Sequence, residues 1–118
     1  VWERYCGELK SLSEEGKVNL PVIPAGRESN YHIFFFRVKD EETRNVLLDG
    51  LRDQGIGATF HYIPLHSSPF GMRQLDYDDK LPITEECSKT LVRLPIWPGI
   101  TCDSCVLVGA ILAEIMVR

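Results

Sequence analysis

Long apolar runs are missing from this 118-residue sequence, and with them any segment able to cross a bilayer as a helix. A positive excess is missing too. Lys and Arg number 13 against 17 Asp and Glu, a net charge of −4 with no basic stripe, which argues against a nucleic-acid-binding face. Cysteine is scarce. Cys6, Cys87, Cys102 and Cys105 show no disulfide-framework spacing, so a reduced, cytoplasmic chain is expected. No glycine-rich phosphate loop, Ser-His-Asp pattern or paired catalytic carboxylates are found. Val1-Trp2-Glu3-Arg4 has neither the basic start nor the apolar stretch of a signal peptide, and no initiator Met. It reads as a helix already under way, so the chain is expected to be cut from something longer.

What is there suits one globular domain spanning residues 1–118: 44% apolar and 25% charged. Tyr5, Leu9 and Leu12 recur at helical spacing over Trp2–Leu12, and Gly16 ends that helix. Val18–Pro24 carries two prolines and reads as an extended sheet edge. Tyr31–Val38 is aromatic and β-branched, a strand whose continuous apolar centre predicts burial on both faces. Asp40 reads as an N-cap, with Glu41 and Glu42 in the first turn. Thr43, Leu47 and Leu51 then form a buried stripe with Val46 beside it, closed by Gly55. Ile56–Ile63 reads as a second strand ended by Pro64, and Ser67–Lys80 as a functional loop. Thr84 is expected to cap a helix that buries Cys87 and Leu91. Leu94–Trp97 reads as a short strand. Thr101 or Asp103 caps a last helix striped by Val108, Ile111, Leu112 and Ile115. The sum is an α+β sandwich, with helices on one face of a three- or four-stranded sheet.

The densest polar constellation is His61-Tyr62-Ile63-Pro64-Leu65-His66, where a strand runs out into a loop. Rigid strand ends present groups to ligands, and two imidazoles and a phenol can hydrogen-bond to phosphate or sugar oxygens. The alternative is that His61 and Tyr62 are strand residues with satisfied hydrogen bonds. Tyr31 either reaches a ligand or packs as a strand-edge aromatic. Metal binding by His61, His66 and His32 is disfavoured, since their spacing is not that of a zinc helix and no acidic third ligand is near. Cys102-Asp103-Ser104-Cys105 opens a helix, where a thiol pKa falls, but it lacks the strand context of a redox pair.

Four blocks add a resemblance. Asn30-Tyr31-His32-Ile33-Phe34, Leu51-Arg52-Asp53-Gln54-Gly55-Ile56-Gly57-Ala58, His61-Tyr62-Ile63-Pro64-Leu65-His66 and Leu94-Pro95-Ile96-Trp97-Pro98-Gly99-Ile100-Thr101 follow one another as in the DegT/StrS aminotransferases, which act on nucleotide-linked keto sugars. Ala58 to Gly71 is most similar to the transaminases that make dTDP-4-amino-4,6-dideoxygalactose. The resemblance implies a small C-terminal domain of a fold-type-I enzyme and a homodimeric parent. It implies pyridoxal phosphate held by a large N-terminal domain that this chain lacks, with the Schiff-base lysine there. It also implies ping-pong transfer of an amine, from a donor such as glutamate, to the 4-keto carbon of a dTDP-4-keto-6-deoxyhexose for surface polysaccharide. No catalytic, cofactor or metal residue is then expected here, and the chain alone is expected to be inactive. His61 and His66 match positions that face the substrate, and Tyr62 and Tyr31 accompany them. A sugar dehydratase of the same family, with histidine replacing the lysine, and a stand-alone ligand-binding module are the competing readings.

Overall fold

A computed structural model describes residues 1–74 and 80–117. The acidic run Asp76–Asp79, with Leu75, lies outside the described residues, so only the ends of the expected Ser67–Lys80 loop are in view. The helices are α1 (Trp2–Glu8), α2 (Lys10–Glu14), α3 (Glu41–Asp53), α4 (Gly71–Gln74), α5 (Pro82–Thr90) and α6 (Cys102–Val117). The strands are β1 (Phe34–Arg37) and β2 (Leu91–Leu94), which pair antiparallel, with Phe34 opposite Leu94 and Phe36 opposite Val92.

That register puts four apolar side chains on one face. Phe34, Phe36, Val92 and Leu94 are all buried, while Phe35, Arg37, Leu91 and Arg93 stand half-exposed on the other. The period of two along a strand therefore wins over the unbroken aromatic run, and burial on both faces is not found. Tyr5 from α1, Leu9 between α1 and α2, Leu47 and Leu51 from α3, and Cys105 and Leu112 from α6 complete the core. At about 25 cal/mol per Å² of apolar area removed from water, burial of this set is the main drive to fold.

The three- or four-stranded sheet needs correction. The pair β1–β2 carries a single rung at each outer edge, Asn19 with Arg37 and Thr59 with Arg93. The extended reading of Val18–Pro24 is thus met at one residue. Ile56–Ile63 is not a strand, because Ala58 donates to Ile56 O at 2.8 Å, a three-residue turn that kinks the backbone at Gly57. Tyr31–Ile33 are not strand either. The side chains of Ser29 and Asn30 accept from the backbone N–H of Tyr31 and His32, at 3.1 and 3.4 Å, in place of ladder bonds. Tyr31 itself sits at φ 53°, outside the β region.

The helix ends follow the sequence more closely. Asp40 accepts from the Thr43 N–H at 2.8 Å and caps α3. Gly55, at φ 74°, ends α3 in the paired-bond closure in which Ile56 N–H reaches Leu51 O and Gly55 N–H reaches Arg52 O, each at 2.9 Å. Thr101 is the cap of α6, accepting from Ser104 N–H at 3.1 Å. Thr84 caps nothing. Pro82 opens α5 two residues earlier, where its missing N–H costs no bond. Leu91 is the first residue of β2, and the strand expected at Leu94–Trp97 lies at Leu91–Leu94.

Candidate functional site

The segment from Thr59 to Gly71 is fixed at both ends. The Thr59–Arg93 rung holds its start, with reciprocal backbone bonds of 3.1 and 2.7 Å. At its far end Ser68 Oγ donates to Leu65 O at 2.8 Å and accepts from Gly71 N–H at 2.9 Å. Gly71 must be glycine here, because a Cβ would lie 1.7 Å from Leu65 O. Between these anchors, Pro64 leads into a single 3-10 turn over Leu65–Ser67.

The four residues singled out from the sequence do not form one cluster. His61 is half-buried, its ring edge-on to Tyr62 at 5.0 Å, and its Nδ1 is buried without a hydrogen-bond partner among the described residues. Tyr62 is 77% exposed and lines an open cleft of about 560 Å³ between α3, the 60–67 segment and α5. His66 Nε2 meets Glu85 Oε1 at 2.9 Å, and Glu85 stands on the wall of that same cleft. Tyr31 is elsewhere. It lies edge-on to Trp2 at 5.4 Å, in a second cleft that it shares with His32, Ile96 and Trp97.

Sequence reasoning passed over Arg44. It lies on the apolar stripe of α3, three residues before Leu47 and four before Leu48, and it is only 8% exposed. Its Nη2 meets Glu41 Oε1 at 3.2 Å and its guanidinium stands 5.7 Å from the centre of the Phe60 ring. The signal was a charge at an inward position, which reads as an ordinary i, i+3 partner of Glu41 until the fold is known. Lys89 and Arg52 also line the first cleft, with Arg52 paired to Asp49.

The described residues do not fit pyridoxal phosphate by themselves. An internal aldimine needs a sheltered lysine and its ring nitrogen a sheltered carboxylate. Lys10, Lys39, Lys80 and Lys89 are exposed and Lys17 is half-buried. The only buried polar or charged side chains described are Arg44 and Thr90. Cys105 is buried beside the Tyr5 hydroxyl, and burial pushes its thiol pKa up, opposite to what a redox thiol requires. Among the described residues no helix is long and apolar enough to cross a membrane.

Comparison with known proteins places this architecture. The family model of the DegT/DnrJ/EryC1/StrS aminotransferases matches residues 1–113. A pleiotropic regulatory protein of Geobacillus stearothermophilus is 33% identical over 97 residues, covering 80% of this chain and 26% of that one. The spore coat polysaccharide biosynthesis protein SpsC of Bacillus subtilis is 27% identical over 108 residues, 86% of this chain and 28% of its own. The crystal structure of DesV from S. venezuelae, in complex with a ketimine intermediate, superposes with a TM-score of 0.83 at 26% identity, over 98% of this chain and 31% of that one. The chain thus spans less than a third of the length of each of these relatives. With a match that runs over nearly all of its residues, the chain belongs to the DegT/DnrJ/EryC1/StrS aminotransferase family.

Proposed function

We propose that this chain is the small C-terminal domain of a pyridoxal-phosphate-dependent sugar-nucleotide aminotransferase. The parent enzyme moves an amino group, from glutamate, to the 4-keto carbon of a dTDP-4-keto-6-deoxyhexose on the route to a surface polysaccharide. The observation that carries the reading is the family match over residues 1–113. The polysaccharide role attached to SpsC supports the last step. The cofactor, its lysine and its carboxylate belong to the rest of the protein, since no buried lysine or carboxylate is offered among the described residues.

The chain's own contribution is binding and orientation. His61, Tyr62 and His66 stand along a segment whose backbone is pinned at both ends, and they offer imidazole and phenol groups for hydrogen bonds with phosphate and hydroxyl groups. Tyr31, on the second cleft, offers a ring face and a hydroxyl. Glu85 accepts from His66 Nε2 and fixes the ring, which leaves Nδ1 as an acceptor for a sugar hydroxyl. The test is amine transfer by the full-length protein from glutamate to dTDP-4-keto-6-deoxyglucose, with the product read by NMR. An amine at C4 is the expected result. No amino sugar from this or any other nucleotide-linked keto sugar would overturn the reading.

The chain alone is expected neither to transaminate nor to bind the cofactor as an aldimine. Mixing it with pyridoxal phosphate and then borohydride should label no single lysine stoichiometrically. A stoichiometric adduct at one of the five lysines would contradict the assignment of the cofactor to the rest of the protein.

A further inference from the structure

Arg44 carries a charge where the core would accept a leucine. Burying a cation costs several kcal/mol unless its surroundings compensate, and here compensation is incomplete. Glu41, half-exposed, takes one guanidinium nitrogen, while Nε is buried with no hydrogen-bond partner among the described residues. What the side chain meets in addition is the Phe60 ring, within the ~6 Å range of a cation–π contact. Phe60 immediately precedes His61 and Tyr62. It is also the first residue beyond the Thr59–Arg93 rung, the last backbone tie before Pro64. From Phe60 to Ile63 no backbone N–H in the described structure finds a backbone acceptor outside helices and strands. The course of this stretch is therefore set by side chains.

We propose that Arg44 is a positioning residue. Anchored on α3 by Glu41 and seated against Phe60, it fixes where His61 and Tyr62 stand toward a nucleotide-sugar substrate. The inference rests on the aminotransferase reading for its ligand, but its geometry is independent of that reading.

The test uses the full-length protein with Arg44→Met, which keeps the length and apolar stem but removes the charge. Phe60→Leu, a change at a 47% exposed site that does not threaten folding, is the second variant, and the two are combined in a third. Two readouts are taken. Hydrogen–deuterium exchange of the Thr59 and Arg93 amides, which hold the rung that ends this stretch, should rise about five- to tenfold in either single variant, with α3 and α6 unchanged, and the double variant should be no worse than the singles. In the half-reactions, KM for the keto sugar nucleotide should rise by a similar factor while the amino-donor half-reaction keeps its rate. Independent, multiplying effects on exchange, or an unchanged exchange in Phe60→Leu, would overturn the positioning role, as would equal losses in both half-reactions. Should the wild-type protein aminate no sugar nucleotide, the functional reading falls while the exchange measurements still decide the role of Arg44. If Arg44→Met does not fold, Phe60→Leu alone decides it by the same criteria.

Discussion

At the scale of single residues, His61 and His66 are held differently, and this changes what their removal should do. His66 is tied to Glu85 at 2.9 Å, so His66→Ala also releases a carboxylate into the cleft, where it would repel a phosphate. His61 has a buried Nδ1 without a partner among the described residues, so its loss strands no other group described there. A lost hydrogen bond to a charged group costs about 1.5–3 kcal/mol, roughly ten- to a hundredfold in kcat/KM. In the full-length protein both substitutions should lower the keto-sugar half-reaction within that range, with His66→Ala the more severe. His66→Ala combined with Glu85→Gln should recover part of the difference. Stopped-flow measurement of each half-reaction separates these outcomes, and unchanged sugar rates in both single variants would make the histidines structural. The polar segment was legible in the sequence because two imidazoles and a phenol around a proline are conspicuous. The separation of Tyr31 from it, in a second cleft, was not, because the left-handed backbone of Tyr31 goes with N–H bonds of Tyr31 and His32 to the side chains of Ser29 and Asn30.

At the scale of elements, the cap of α3 gives a pH prediction. The Asp40 carboxylate is held below the usual range, chiefly by its bond to Thr43, with the Lys39 ammonium a lesser cause. A depressed folded-state pKa means stability that is present above the unfolded value and lost as pH falls through the folded one. Asp40→Ala should therefore lower the melting temperature at neutral pH and lose that penalty in acid, below the ordinary aspartate pKa. A penalty independent of pH would show that the charged cap is not the cause. Packing between helices gives a second, comparative prediction. A Cβ at Gly109 of α6 would lie 2.8 Å from Glu8 Cβ of α1, whereas one at Gly50 of α3 would meet the movable end of Ile115 at 2.9 Å. Alanine favours a helix over glycine by about 1 kcal/mol. Gly50→Ala should come out near neutral, because Ile115 can rotate away. Gly109→Ala should destabilise by about 1–3 kcal/mol, since α1 and α6 must move apart. Urea unfolding of the two variants checks the order. Helices α3 and α6 were legible from caps and period alone. Strand β1 lies inside the expected Tyr31–Val38, while β2 was misplaced because α5 runs into it without a loop, Thr90 ending one and Leu91 starting the other, so no turn residue marks the change.

At the scale of the whole molecule, the core is well buried while one stretch of surface is not. Phe60, Tyr62, Ile63, Leu65, Phe70, Met72, Leu81 and Ile83 are each between 44% and 83% exposed, all within 24 positions of sequence. Scattered exposed apolar residues are ordinary, but eight in one short segment are more than scatter. The relatives are more than three times as long as this chain, and on the proposed reading the remainder of the parent protein is the candidate to cover these side chains. The chain by itself should then bind a hydrophobic dye and self-associate as its concentration rises. Leu65, at 83%, and Ile83, at 76%, are the sites to change, because neither belongs to the core and both present nearly whole side chains to water. Removing one such side chain from an apolar contact forfeits about 1.5–3 kcal/mol. In the isolated chain, Leu65→Ser with Ile83→Ser should therefore weaken self-association at least tenfold in sedimentation equilibrium and reduce dye fluorescence, with the melting temperature unchanged. In the full-length protein the same pair should lower the melting temperature, because there the two side chains would leave an apolar contact rather than water. An isolated chain that stays monomeric and dye-free at high concentration, together with a full-length protein indifferent to the double substitution, would show that this surface is covered by nothing.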